Sequence, residues 1–423
     1  MRGQLDEWID DLPEDWDAVK TKSLFKILKR QVPHDGQAIL SITQSGIRPK
    51  NISENEGQMA GNYDGYQEVF IGDFAMNSMD LLTGWVDQSR YDGLTSPDYR
   101  VFVTTDLTRV YGRFYSYVFQ TLYSRHIYYK YGQGVSNMGR WRLPAQTFLN
   151  FPLPNPTFVE QRAIVSFLDA KTAEIDGIIN KLQREVQLLE QYRRELIART
   201  VTRGLNPDVP MRDSGVEWIG KGPTSWTLYS AKALFQRRKE FERPADIHLT
   251  PSQLYGVLPQ EEFINKSGTK PTLKLSEAGK MRHVEPGDFI IHLRSFQGGL
   301  ELSELAGKVS AAYTVLSPRD SGLVDSGYFK WLFKSDPFIR SLASLTNQLR
   351  DGQSINFTTF SRTSYYIPSI DIQRLIAAFL DRKTLEIDSA ITGIKRQIEL
   401  LGKYRKQIIN DAVTGKVRVG EMA

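Results

Sequence analysis

A stretch of 42 residues occurs twice in this 423-residue chain, and that duplication limits its possible folds more than any local pattern does. Gln161 through Thr202 aligns without a gap onto Gln373 through Thr414 at an offset of 212, with 20 of 42 positions identical. The shared core reads Q-R-x-I-x-x-F-L-D-x-K-T-x-E-I-D, from Gln161 to Asp176 and again from Gln373 to Asp388. Farther along, Leu188-Leu189 matches Leu400-Leu401, Tyr192-Arg193 matches Tyr404-Arg405, and Val201-Thr202 matches Val413-Thr414. A shorter echo lies upstream of each copy at an offset of 210. There Glu7-Trp8-Ile9, Pro13 and Trp16 recur as Glu217-Trp218-Ile219, Pro223 and Trp226. Between these ends the halves diverge, and Gly72-Asp73-Phe74 with Gly287-Asp288-Phe289 is the best remaining match. The order is variable block, shared segment, variable block, shared segment.

The shared segments read as long helices. Ile175, Leu182, Leu189 and Leu196 are spaced by sevens, with Ile179 and Val186 at the four-residue steps. Ile387, Ile394, Leu401 and Ile408, with Ile391 and Ile398, repeat the pattern. So narrow a stripe, with charge on the other faces, predicts a coiled coil. Pro156 and Pro368 precede the helices, Pro207 follows the first, and Gly415 closes the second. Some 40 residues at about 1.5 Å each give a length on the order of 60 Å. The stripe alone permits pairing within the chain or in trans as a homodimer. Pairing within the chain is expected, because the roughly 160 intervening residues close a loop at little extra entropic cost. An antiparallel pair would carry each variable block to an opposite end.

Composition limits the chemistry. The chain has no cysteine, so thiolate metal sites, thiol nucleophiles and disulfides are excluded. Its five histidines (His34, His126, His248, His283, His292) include no H-x-x-x-H pair, which argues against a zinc enzyme. There is no apolar run long enough to span a membrane and no signal peptide at Met1-Arg2-Gly3, so a cytoplasmic protein is expected. A net charge of +5 permits nucleic-acid binding without demonstrating it.

The variable blocks mix short β-rich runs such as Ala38–Thr43, Asp288–Ile291 and Tyr313–Leu316 with two aromatic helix faces, Phe114–Phe119 and Tyr328–Phe333. Each reads as an α+β globule. The expected segmentation is a first block at 1–154, a first repeated helix at 155–204, a second block at 205–366, and a second helix with tail at 367–423.

Several loops place guanidinium and amide groups beside Gly and Ser. The first block offers Gln44, Arg48 and Lys50; Asn77 and Met79; and Gln133, Asn137, Arg140 and Arg142. The second offers Arg294, Ser295, Phe296 and Gln297, then Gln348, Arg350 and Gln353. Arg pairs with guanine edges and Asn or Gln with adenine edges, so these are the residue types that direct DNA readout requires. Most polar loop residues are simply solvated, and fewer than half of these are expected to touch DNA.

Catalytic motifs are missing. The nearest approach to the N/D-P-P-Y/F motif of adenine methyltransferases is Asn155-Pro156-Thr157-Phe158, which lacks the second Pro and sits at a helix start. Asp169-Ala170-Lys171 and Asp381-Arg382-Lys383 match a nuclease triplet but fall inside the predicted helices, where they read as surface charges. No P-loop and no G-x-S-x-G elbow occurs.

This arrangement resembles the DNA-specificity subunit of type I restriction-modification systems, over essentially the whole chain. The resemblance rests on Glu217-Trp218-Ile219-Gly220 with Pro223 and Trp226, and on the two Q-R-x-I-x-x-F-L-D-x-K-T-x-E-I-D helices. It also rests on Asn77-Ser78-Met79-Asp80 and on Leu293-Arg294-Ser295-Phe296-Gln297-Gly298-Gly299. It implies two target-recognition domains reading a bipartite DNA target, joined by an antiparallel coiled-coil ruler that docks DNA adenine methyltransferase subunits. It further implies a non-catalytic chain with no cofactor of its own. AdoMet, ATP and magnesium would belong to the methyltransferase and to restriction/translocase subunits. A coiled-coil scaffold for other proteins and a stand-alone DNA-binding protein are the alternatives.

Overall fold

The structure is a computed structural model that describes residues 7–9, 11–51, 62–134, 141–269, 281–292, 295–346 and 355–419. The chain divides into two compact units: Met1–Gln183 with Arg396–Ala423, and Arg184–Lys395. The division runs through both repeated helices rather than at their ends, because each half-helix packs with a variable block.

In the first unit a four-stranded antiparallel sheet has the order Phe25–Leu28, Arg100–Thr104, Phe74–Met76, Val86–Gln88. Strand alternation sorts its two faces. Phe74 and Phe102 join the aromatic helix Gly112–Ser124 in the main core, while Ala75 and Val101 pack with Leu40, Ile42 and Ile47 of a hairpin. A separate ribbon, Asp17–Lys20 against Pro152–Asn155, ties the start of the block to its end.

The second unit repeats this plan with different residues. Its sheet runs Phe235–Arg237, Thr314–Pro318, Phe289–Ile291, Glu301–Leu302, the same order of strands along the chain. Phe289, Ile291 and Leu316 face the main core with the helix Ser326–Phe333, and Ile290 and Val315 pack with Leu249 and Val257 of a hairpin. Thr227–Ser230 pairs with Ser364–Ile367 as the closing ribbon.

The short G-D-F echo is one turn built twice. Gly72 and Gly287 sit at φ +94° and +93°, where a side chain would be strained. The buried acid that follows caps the turn, Asp73 accepting from the Phe70 N–H and Asp288 from the Glu285 N–H, each at 2.9 Å. Each acid also holds an arginine, Arg30 on Asp73 at 2.5 Å and Arg238 on Asp288 at 2.6 and 3.0 Å.

Two long helices, Phe158–Arg203 and Ile370–Val413, carry the repeats. The first residue of the repeat locks each helix to its block. Gln161 is fully buried: its Nε2 donates to the Arg109 and Pro156 carbonyls, both at 2.9 Å, and its Oε1 accepts the Tyr111 N–H at 2.7 Å. Gln373 does the same with the Leu323 and Pro368 carbonyls at 2.9 and 3.0 Å, and with the Asp325 N–H at 2.9 Å. Both donors and the acceptor of one amide are spent on backbone groups that sequence divergence cannot alter. Two turns later the repeated aspartate adds a second attachment. Asp169 accepts from the Tyr117 hydroxyl at 2.6 Å and from Arg113 at 3.1 Å, while Asp381 accepts from Trp331 Nε1 at 3.0 Å and Lys330 at 2.8 Å.

Within each unit the two helices run antiparallel. In the first, Ile175 shares a core with Ile408 and Ile409, and Arg405 grips Asp176 at 2.8 and 3.1 Å. In the second, Val186 packs with Ile387 and Ile391, and Arg193 meets Asp388 at 3.0 Å. By the 212-residue offset these two ion pairs are equivalents, each joining the I-D of one repeat to the Y-R of the other. They are half exposed, so each contributes under about 1 kcal/mol and serves register more than stability.

Block two also contains a charge network around a buried histidine. His283 is fully buried, with Nδ1 2.8 Å from Asp246 and Nε2 2.8 Å from Glu285, and Arg243 reaches Glu285 at 2.7 Å. Burial pulls the imidazole pKa down, but the hydrogen bonds to Glu285 and Asp246 together outweigh it, and the pKa lies above the usual histidine value.

Two outcomes are expected. Gln161→Ala orphans up to three buried backbone groups and should destabilise the chain by about 2–3 kcal/mol; denaturant unfolding monitored by tryptophan fluorescence measures this. A loss below about 0.5 kcal/mol would show that the amide clamp is dispensable. His283 has its folded pKa raised above the unfolded one, so its stabilisation is complete below about pH 6.5 and is lost as pH rises through the folded value. Thermal melts of wild type and His283→Gln should therefore differ most at mildly acid pH and converge at alkaline pH. A gap that widened with pH would contradict the assignment.

Candidate functional site

The loops singled out by residue type lie on elements that the two sheets support. On the first hairpin, Gln44 sits exposed at the tip between strands Leu40–Thr43 and Gly46–Pro49, and Arg48 is exposed on the returning strand opposite Ser41. Lys50 is half-buried just beyond, its N–H donating to the Ile39 carbonyl at 2.7 Å. The hairpin stays anchored because Leu40, Ile42 and Ile47 are buried beneath it.

Asn77 and Met79 belong to a tight turn, and both are half-buried. The Asn77 Oδ1 accepts the Met79 N–H at 3.2 Å, and Asp80 Oδ1 accepts those of Leu82 and Thr83 at 3.0 and 2.9 Å. Tyr123 donates its hydroxyl to the Asn77 carbonyl at 2.6 Å, tying the turn to the aromatic helix. Gly84 closes the turn, since a Cβ there would lie 2.0 Å from the Asp80 carbonyl oxygen. The Asn77 amide oxygen thus shapes the loop, and its nitrogen makes no hydrogen bond among the described residues.

The third loop is pinned at its base. Gln133 and Arg142 form an antiparallel bridge with hydrogen bonds of 2.8 and 3.1 Å, and both side chains are exposed. Asn137 and Arg140, between them, lie outside the described residues.

In the second block, Ser295 is turned inward. It is buried, and its Oγ accepts the His292 N–H at 2.9 Å, so it holds the chain rather than offering a hydroxyl outward. Gln297 is exposed on the short helix Ser295–Gly298. The paired glycines that follow look at first like a device for close approach to DNA, but they serve the fold. At Gly299, φ is +81° and a Cβ would lie 1.9 Å from the Phe333 carbonyl oxygen. Arg294, Gln348, Arg350 and Gln353 lie outside the described residues, and Phe296 is described by its backbone alone.

Residues that reasoning from loop composition passed over also stand at these surfaces. Lys29 and Gln31 are exposed near Arg142, although they flank a strand rather than a Gly-rich loop. On the long helices, Leu188, Tyr192, Leu400 and Tyr404 are 49%, 53%, 49% and 54% exposed, off the buried stripe. Their presence in both repeats was visible in the sequence; that they face solvent was not. No helix among the described residues is long and apolar enough to cross a membrane, and none of their His, Asp or Glu side chains cluster in threes fit to hold a metal ion.

No protein-family model matches the chain. Solved structures share its fold over nearly its whole length. A chain from a type I R-M system, studied for complex assembly and conformational transition, is 14% identical with a TM-score of 0.68. That match covers 96% of this chain and 100% of the other. The HsdS subunit from Thermoanaerobacter tengcongensis is 15% identical with a TM-score of 0.55, and the match covers 97% of this chain and 100% of that subunit. At such identities the shared property is the fold.

Proposed function

We propose that this chain is the non-catalytic DNA sequence-recognition subunit of a type I restriction-modification complex in the cytoplasm. Its two blocks each read one half of a bipartite duplex target, and the paired helices hold them apart as a ruler. DNA adenine methyltransferase subunits dock on the chain, and restriction/translocase subunits join through them; AdoMet, ATP and magnesium belong to those partners. The observation that carries this reading is a constant frame with variable surfaces. The two blocks share one strand order and one glutamine clamp, yet present different loops. Chemistry common to both halves would keep common side chains at the loops, whereas reading two different half-targets requires that they differ.

Two tests follow. Exchanging residues 16–150 for the block of a relative should alter one half of the methylated target and leave the other intact, as read by sequencing modified DNA. A swap that changed both halves would contradict independent reading heads. For docking, the supporting feature is the exposed Leu188 and Tyr192 pair and its repeat equivalent Leu400 and Tyr404. Identical apolar side chains kept in solvent at both sites suit one partner bound twice. Leu188→Ala with Tyr192→Ala should leave the melting temperature nearly unchanged and reduce the complex from two methyltransferase subunits to one. Each lost aromatic anchor should weaken that site by about 2 kcal/mol or more. Retention of both subunits at full affinity would remove this face from the docking surface.

A further inference from the structure

The first block contains a buried arginine without a counter-charge among the described residues, and it lines a cavity. The cavity, about 260 Å³, is walled by Lys29, Gln31, Asp98, Tyr99, Arg100 and Arg142 among others. Three of its lining residues are cations and one, Asp98, is an acid. Arg100 is only 6% exposed. Its Nη2 donates to the Leu143 carbonyl at 2.8 Å, its Nη1 stands 3.7 Å from the Met76 sulfur, and its guanidinium carbon lies 4.9 Å from the Phe148 ring centre. All three partners are neutral, and no ion pair joins Arg100 to a carboxylate among the described residues.

Two other partly buried arginines are paired with buried acids: Arg30 has Asp73, and Arg238 has Asp288. A guanidinium taken out of water without an anion is costly, so its retention calls for a partner that arrives from outside. Burial depresses the Arg100 pKa to about 10; Tyr123 and Tyr128 oppose this, and Arg142 adds repulsion. The site is thus poised for negative charge. A base edge offers only dipoles, whereas a phosphate brings a full charge and planar oxygen pairs that match the guanidinium fork.

We infer that this cavity is a phosphate site, with Arg100 at its wall and Arg142 and Lys29 at its rim. On the DNA-recognition reading, on which this occupant rests, it receives one phosphodiester of the DNA backbone and fixes the register of the first block. Contacts of this kind position a reading head without themselves specifying bases.

The test uses the full chain as wild type, Arg100→Met and Arg142→Gln. Inorganic phosphate is titrated against chloride at constant ionic strength while the melting temperature is followed. Wild type should show a saturable rise specific to phosphate. Arg100→Met should lose that rise, and Arg142→Gln should need roughly tenfold more phosphate for the same response. If Arg100→Met does not fold, Arg142→Gln and Lys29→Gln, both exposed, carry the comparison. Equal melting in phosphate and chloride for wild type, or an undiminished response in the variants, overturns the site.

A second arm measures duplex DNA binding against salt, with the chain assembled with a methyltransferase subunit. Arg100→Met should lower the slope of log affinity against log salt by about one. A lost phosphate response with an unchanged slope would overturn DNA as the occupant and leave a site for free phosphate. A wild-type phosphate response with no DNA binding at all would count against the DNA reading and not against the site.

Discussion

Each variable block completes its core with the far end of the other repeat's helix. In the first unit Ile408, Ile409, Ala412 and Val413 enter the aromatic core around Phe25, Phe74 and Phe119. In the second, Ile197 and Val201 do so, and the Tyr328 hydroxyl donates to the Val201 carbonyl at 2.8 Å. The antiparallel direction follows, because only that direction brings the C-terminal end of one helix to the block at the N-terminal end of the other. The equivalent ion pairs Asp176–Arg405 and Asp388–Arg193 then fall into place. Neither half of the sequence holds all the apolar surface its own block needs, and this binds the duplication into one architecture.

The helices were legible from sequence because a seven-residue stripe is a dense, local signal. Every stripe position is buried or half-buried, while Leu188, Tyr192, Leu385, Leu400 and Tyr404 outside it are exposed. The kinship of the two blocks was almost illegible. Their strands are two to five residues long and pair across large sequence separations, so identity at any one position carries little weight. What survived was Gly72-Asp73-Phe74, since its turn needs a positive φ and a buried acid. Gln161 stood out as a repeated letter, but its reason, a three-bond amide clamp, depends on the Arg109 carbonyl and the Tyr111 N–H, about 50 residues away.

The candidate site was legible in residue type but not in side-chain direction. Residue type identified loops fit for base edges, and Gln44, Arg48, Gln133, Arg142 and Gln297 do face solvent. It could not tell an outward hydroxyl from Ser295, whose Oγ is spent on the His292 N–H. Nor could it find Arg100. Asp98 two residues earlier looks like its counter-ion, yet it sits exposed in the turn before the strand Arg100–Thr104, closed by the Tyr99 N–H on the Ser96 carbonyl, while the guanidinium is buried among neutral groups. On the proposed reading the division of labour is physical: repeated residues hold the frame, and divergent loops meet the DNA.

The reciprocal completion of the two cores can be tested by cross-linking, for which a chain without cysteine is well suited. Cysteines at 176 and 405 should be joined by a short bis-maleimide within a single chain, as should cysteines at 193 and 388, while 176 with 388 should not. Efficient linkage of 176 to 388, or linkage of 176 to 405 only between two chains on a denaturing gel, would contradict the antiparallel, intramolecular pair.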